Sequence, residues 1–96
     1  MKESFIYIIS NKNRTVFYTG VTANLSARMK AHQEGSGSVF CRIYNVRELI
    51  YYERFMDIRE AIRREKEIKG WRREKKLNLI MSRNPEMKNL LEKRKG

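Results

Sequence analysis

The chain opens on a short aromatic and β-branched run, Phe5-Ile6-Tyr7-Ile8-Ile9, bounded by polar residues, which predicts a strand. A second run, Val16-Phe17-Tyr18-Thr19-Gly20-Val21, follows the polar stretch Asn11-Lys12-Asn13-Arg14, so the two read as a β-hairpin. After Thr22 the period changes. Asn24 is a good N-cap, Leu25 through Gln33 carries helical spacing, and Gly35-Ser36-Gly37-Ser38 ends it as a flexible loop. An irregular stretch from Val39 to Val46 leads to Glu48-Leu49-Ile50-Tyr51-Tyr52-Glu53-Arg54, a third strand. Asp57 with Glu60 three residues later resembles a capping box and opens a helix to about Lys69. Gly70 interrupts the pattern, and Trp71 through Ser82 resumes it with Leu77, Ile80 and Met81 as core positions. Asn84-Pro85-Glu86 is a further helix-start signal, and Glu92-Lys93-Arg94-Lys95-Gly96 is expected to be a frayed basic tail.

The same periodicity places polar groups where apolar ones are expected. Leu25 and Met29 define an inward stripe on the first helix, and Arg28 and His32 fall within about 60° of Leu25 on it. On the second helix Ile58, Ala61, Ile62 and Ile68 define the buried side, and Glu65, seven residues after Ile58, nearly eclipses it. A carboxylate there costs several kcal/mol, on the order of a lost hydrogen bond or more, unless it is paired or bound to a cation. The candidate partners are Arg28 and a metal ion. Each residue also has a plain structural reading. Arg28 with Glu65 makes an internal ion pair, His32 snorkels at the core edge, and Tyr7 and Tyr18 are core aromatics with wet hydroxyls.

Composition narrows the partners. At 96 residues one core is all the chain can build, and no apolar run approaches the ~20 residues of a bilayer span, so a soluble single domain over residues 1–96 with no membrane role is expected. Met1-Lys2-Glu3-Ser4 shows no secretory pattern, which makes the cytoplasm the simplest location. The lone Cys41 and lone His32 exclude an internal disulfide and a Cys/His zinc set. Twenty-two Lys and Arg against eleven Asp and Glu give a net charge of +11, which points to a polyanionic partner. Between Arg59 and Lys76 there are nine basic and four acidic residues, enough to track a phosphate backbone, though a solvated helix face accounts for them equally. The candidate backbone contacts are Lys30, Arg42, Arg64, Lys69, Arg72, Arg73, Lys75 and Lys76.

Taken together these residues resemble a known family. Phe5-Ile6-Tyr7, ten intervening residues and then Tyr18-Thr19-Gly20 look like the paired motifs of the GIY-YIG endonuclease superfamily, with Phe5 for glycine and Thr19 for isoleucine. The likeness continues through Gly20-Val21-Thr22, Asn24-Leu25, Arg28 and His32, Phe40-Cys41-Arg42-Ile43-Tyr44 and Tyr51-Tyr52-Glu53 to Glu60-Ala61-Ile62-Arg63-Arg64-Glu65. The run Arg64 to Arg73, with Asn84-Pro85 beyond, is similar to small stand-alone bacterial members, and the family also includes the N-terminal domain of the excision-repair nuclease subunit. The fold so implied is α+β, a three-stranded antiparallel sheet flanked by three or four helices. The activity implied is metal-dependent cleavage of phosphodiester bonds in nucleic acid, DNA foremost, with DNA repair one of the settings in which the family works.

By that resemblance Glu65 holds one Mg²⁺ or Mn²⁺ ion, Arg28 neutralises the phosphate and Tyr18 aligns it. Tyr7 or His32 serves as the base, Tyr44 is a further phosphate or water contact, and Asn78 stands near the place of an asparagine that larger members use. A phenol with a pKa of about 10 is a poor base at pH 7 unless cations favour its phenolate, so the choice between Tyr7 and His32 stays open. Two other readings keep the fold without the cutting: a basic nucleic-acid-binding module, and an accessory subunit of a repair assembly, with a protein partner or a second copy of the chain beside it. All of them require a polyanion. Nucleic-acid affinity is expected to fall steeply with rising salt as counterions are released, and equilibrium titrations across a salt series would measure the slope. A flat dependence would remove nucleic acid from consideration.

Overall fold

The computed structural model describes residues 3–91, so the tail expected at 92–96 lies outside the described residues. Its elements are β1 (Ser4–Ser10), β2 (Phe17–Thr22), α1 (Leu25–Gln33), α2 (Val39–Ile43), β3 (Glu48–Phe55), α3 (Ile58–Lys69) and α4 (Arg73–Arg83). The strands form one antiparallel sheet in the order β2-β1-β3, and the protein is α+β with helices around that sheet. Among the described residues no helix is long and apolar enough to cross a membrane.

The central strand is buried on both faces, so its alternation assigns a separate core to each. Ile6 and Ile8 face Ala61 and Ile68 of α3 and Ile80 of α4. Tyr7 and Ile9 face the other way, toward Met29 of α1, Cys41 of α2, Val46 and Leu49. The pairing of β1 with β3 shifts between Ile8 and Ile9, which face Tyr51 and Leu49, so Ile50 is an extra residue. That bulge lets Ile50 and Tyr51 both enter the core under α3 while Leu49 remains on the other side.

Local signals act as the residue types demand. The Asn24 side chain accepts from Ala27 N at the start of α1, and the Asp57 side chain accepts from Arg59 N at the start of α3. In the hairpin, Asn11 Oδ1 accepts from both Thr15 N and Val16 N, and Arg14 adopts the left-handed region at φ 59°. Arg14 then reaches across to pair with Glu48 at 2.8 Å and to donate to the carbonyl of Met87 at 2.9 Å, tying the turn to β3 and to the C-terminal segment.

Three expectations are corrected. The stretch after Ser38, expected to be irregular, contains the short helix α2, capped when Ser38 Oγ accepts from Cys41 N. No helix follows Pro85 among the described residues. Asn84 is instead a buried hub, its amide donating to Ile50 O at 2.9 Å and Lys88 O at 2.8 Å while its carbonyl accepts from Lys88 N. The competing claims of those carbonyls on Asn84 outweigh the helix-start chemistry of the pair. Finally, Ile58, Ile62 and Met81 are exposed, because the inward lines of α3 and α4 run through Ala61 with Ile68 and through Ile80.

Asn84→Ala should therefore be costly although it removes only a loop side chain. It leaves the Ile50 carbonyl without its side-chain donor, a penalty of about 1–3 kcal/mol. Thermal melts should show a loss of several degrees for a chain of this size, and an unchanged melting temperature would contradict the hub.

Candidate active site

Tyr7 lies in the middle of β1, directly opposite Gly20 of β2. A Cβ at Gly20 would collide with Tyr7 Oη and Cζ, so only the bare backbone lets the phenol ring fold across the neighbouring strand. Tyr18 pairs with Ile9 and shares Tyr7's face of the sheet by the two-residue period, with ring centroids 6.5 Å apart.

The first helix brings the nitrogen chemistry. Buried His32 sets its Nε2 3.1 Å from Tyr7 Oη, and its ring centroid lies 5.7 Å from that of Tyr7 and 5.9 Å from that of Tyr18. A Cβ at Gly37 would lie 2.5 Å from His32 Nδ1, so the loop backbone passes directly over the imidazole. Its Nδ1 is accordingly buried without a hydrogen-bond partner. Arg28, one turn earlier, is exposed, yet its guanidinium is close enough to Tyr7 and His32 to act on both. The expectation of an inward Arg28 is corrected: the residue is exposed, and only its charge acts on the buried pair.

Two further residues complete the aromatic wall. Phe40 of α2 stacks on Tyr18 at 6.3 Å, and Tyr44 packs on Phe40 at 4.8 Å. Tyr44 thus joins the cluster through Phe40, a residue that sequence reasoning left among the unassigned positions. Phe40 stands in the run Phe40-Cys41-Arg42-Ile43-Tyr44 that carries the family resemblance, but the stretch has no clear periodicity to give it a role.

Burial dominates the electrostatics. It pushes the Tyr7 phenol well above the usual range, helped by the neighbouring Tyr18 hydroxyl, and the opposing pull of Arg28 does not overcome it. It also lowers His32 below 6.5, with Arg28 adding repulsion against a second positive charge. At neutral pH the pair is an uncharged phenol beside an uncharged imidazole, and the hydroxyl can donate to Nε2. Cys41 packs beneath them, its thiol raised by burial and so kept from the thiolate form.

Glu65 is held on the other helical layer. It sits about 40° around the helix from Ala61 and about 60° from Ile68, with 13% of its side chain exposed. Its partner is Lys69, at 2.6 Å and one turn on, and not Arg28. The two are kept apart because α3 packs with Ile6 and Ile8, whereas α1 packs with Tyr7 and Ile9 on the opposite face. The link to the aromatic cluster runs around the β2 edge, where Lys69 Nζ lies 6.0 Å from the Tyr18 ring centroid.

Whether this carboxylate suits a metal depends on the ion. Among the described residues no three His, Cys, Asp or Glu side chains gather into a metal cage. A hard cation that keeps most of its waters is bound through one or two carboxylates and substrate phosphates, and Glu65 fits such an ion as its single protein ligand once Lys69 releases it.

The basic residues divide into structural and available groups. Arg64 is committed to Glu53 at 3.0 Å, pairs with Glu67 and covers the Trp71 ring at 5.2 Å. Arg73 donates to Thr15 O at 3.1 Å and Arg14 O at 2.6 Å and lies over Phe17, pinning α4 to the hairpin. These two hold the fold. Lys75 lies 4.3 Å over Trp71, Lys76 is half-buried, and Lys30, Arg42 and Arg72 are exposed. Asn78 is exposed on α4, and among the described residues no hydrogen bond joins it to the cluster.

A family model for the GIY-YIG catalytic domain matches residues 3–78, the span that contains every member of this cluster. The chain belongs to the GIY-YIG family. It is similar to a UPF0213 protein of Staphylococcus haemolyticus, 37% identical over 83 residues covering 86% of this chain and all of that one. It is likewise similar to a UPF0213 protein of Clostridium perfringens, 40% identical over 90% of this chain and 91% of the relative. The solution NMR structure of a UPF0213 protein from Bacillus halodurans matches with TM-score 0.59 and 29% identity, covering 93% of this chain and 94% of that one. The three-stranded α+β architecture is therefore the GIY-YIG fold, and the chain carries a nuclease-family domain.

In this GIY-YIG domain the lowered His32 pKa has a consequence for stability. The unfolded chain takes up the imidazole proton near 6.5, the folded protein only at lower pH, so unfolding binds a proton in that interval. Stability is full above 6.5 and is lost as the pH falls below it. Because His32 is the single histidine, His32→Gln should melt with less pH dependence in that window than the parent. Parallel slopes in paired melts would show that His32 is not desolvated in the folded protein.

Proposed function

We propose that this protein is an endonuclease that hydrolyses phosphodiester bonds in nucleic acid, with DNA as the expected substrate and one Mg²⁺ or Mn²⁺ ion as cofactor. The observation that supports it is the Tyr7 hydroxyl set 3.1 Å from a neutral imidazole, with the positive charge of Arg28 acting on both. Hydrolysis needs a group to take a proton from the attacking water and positive charge at the phosphoryl oxygens. Burial argues against Tyr7 as a free-standing phenolate base. A relay avoids that state: the water proton moves to Tyr7 Oη as the hydroxyl proton moves to His32 Nε2. The choice between the two residues then becomes a division of work, with Tyr7 touching the water and His32 holding the proton.

The substrate itself assists the relay. A phosphate drawn to Arg28 offsets the positive charge that holds His32 below its usual pKa, so the imidazole becomes a better acceptor when the reaction is ready to run. Arg28 neutralises a phosphoryl oxygen and Tyr18 aligns it. Glu65 would hold the divalent ion, which when bound supplies Lewis-acid stabilisation of the departing 3′-oxygen. Lys69 serves as the resting counter-charge of Glu65.

Cleavage assays on DNA and RNA with Mg²⁺, Mn²⁺ or chelator would test the reading. Tyr7→Phe and His32→Gln should each slow cutting by about 10²–10⁴-fold and by similar factors, because each removes one half of the same relay. Arg28→Ala should lose about 10²–10³-fold. Glu65→Gln should stop metal-dependent cutting while costing less than about 1 kcal/mol, since its Lys69 partner is solvent-exposed. A parent protein that binds nucleic acid but cuts none under any divalent ion would favour the non-cleaving binding module instead.

A further inference from the structure

The short helix α2 leaves an apolar face uncovered beside the candidate site. Val39 is 66% exposed, Ile43 64%, Tyr44 52% and Phe40 43%, four large apolar side chains within six residues. Large exposed apolar groups clustered this tightly mark a binding surface more often than a bare stretch of skin. What they bind is indicated by how they connect. Phe40 stacks on Tyr18 at 6.3 Å with an interplanar angle of 30°, and Tyr44 lies on Phe40 at 4.8 Å. Tyr18 in turn faces Tyr7 and His32. The rings form one series leading outward from the buried hydroxyl of Tyr7 to the solvent-exposed ring of Tyr44.

Charge selects the occupant. From Gly35 to Arg47 the chain carries Arg42 and Arg47 and no acidic residue, within a protein of net charge +11. Arg42 is exposed on α2 itself and Lys30 is exposed on the neighbouring α1. An aromatic face on a segment that carries cations and no carboxylate of its own suits bases joined by phosphates, since every base offers a π-face that stacks without regard to sequence. A base within a paired duplex cannot reach such a face without first losing its stacking and pairing, which an unpaired base has already given up.

Resting on the nuclease reading above, we propose that Phe40 and Tyr44 form a stacking platform for an unpaired base next to the scissile phosphate, making single-stranded or locally unpaired nucleic acid the preferred substrate. Arg42 and Lys30 position the adjoining phosphates, and Val39 and Ile43 shield the stacked base from water. Paired duplex is taken only where it opens.

The test is binding of the full-length protein, in chelator so that nothing is cut, to oligonucleotides carrying 2-aminopurine. Single strands, a duplex with one unpaired base and a fully paired duplex would be compared at one salt concentration. The unpaired substrates should bind at least about tenfold more tightly and show a fluorescence change from stacking at one position. Tyr44→Leu, which keeps apolar bulk on an exposed ring position, should erase most of the fluorescence change, and Phe40→Leu should weaken single-strand binding further while duplex binding stays. Should Phe40→Leu disturb Tyr18 packing, the Tyr44→Leu result alone decides. Equal affinity for paired and unpaired substrates, or an unaltered 2-aminopurine signal in Tyr44→Leu, would overturn the proposal. So would a change from dimer to monomer in sedimentation without any change in nucleic-acid binding, which would make the face a contact between copies. Metal-dependent cutting of paired duplex with no preference would sink the platform and leave the nuclease reading standing. Loss of cutting with the stacking signal intact would do the reverse.

Discussion

The site depends on a close approach between one ring and one bare backbone. Tyr7 can lie across the hairpin only because Gly20, its partner on β2, has no side chain to obstruct it. Everything that touches the Tyr7 hydroxyl inherits its position from that packing: Nε2 of His32, the reach of Arg28, the tilt against Tyr18. A second close approach repeats the device, since Gly37 lets the loop backbone close over the imidazole and hold its Nδ1 away from water. Two glycines thus make a dry, ordered pair of titratable groups from residues that would otherwise be solvated. Burial then sets their protonation, because desolvation opposes charge on each and leaves a neutral donor next to a neutral acceptor.

Such a pair is costly to keep in a protein of this size, and the remainder of the fold offsets that. The face of the sheet opposite Tyr7 is closed by aliphatic packing of Ile6, Ile8, Ile50, Ala61, Ile68 and Ile80. At its rim Glu53 accepts from Tyr51 and is gripped by Arg64, whose other side meets Glu67 and Trp71. Burial and the Glu53 charge push the Tyr51 phenol up to about 12, so it remains a donor to the carboxylate across the working range of pH. Arg14 and Arg73 fasten the hairpin to β3 and α4 through carbonyls and Glu48. Arg14, Arg64 and Arg73 therefore serve as internal fastening and are not offered to a ligand.

How much could be read from the chain follows from which interactions are local. Strands, the helices α1 and α3 and the N-caps at Asn24 and Asp57 are written in period and in one or two residues, and the structure agrees with them. Buried His32 and largely buried Glu65 were visible as polar residues on apolar stripes. Their partners were not, because partnership is decided by which layer each helix occupies. Period alone cannot say that α1 and α3 lie on opposite faces, and so Arg28 was set against Glu65 when Lys69 stood one turn away. Asn84 misled for the same reason. Its sequence chemistry is that of a helix start, while the acceptors that hold it, the carbonyls of Ile50 and Lys88, are 34 and 4 residues away. The helix α2 escaped notice since five residues are too few to show a period.

The separation of layers has a bearing on how such a small domain tolerates a functional surface. The α3 and α4 face carries an aliphatic core and the partly buried ion pair of Arg64 with Glu53. On the other face α1 and α2 are short, and only Met29, His32 and Cys41 among their side chains are buried. That layer closes the second core over Tyr7 and Ile9 with few inward side chains, so its outer residues are released from the requirement to be inward or polar. Phe40 is stacked on one side and open on the other, and Tyr44 leans on it without entering the core. Chemistry that needs a dry hydroxyl and contacts that need exposed rings can then coexist within two turns of helix, because neither is asked to hold the sheet together.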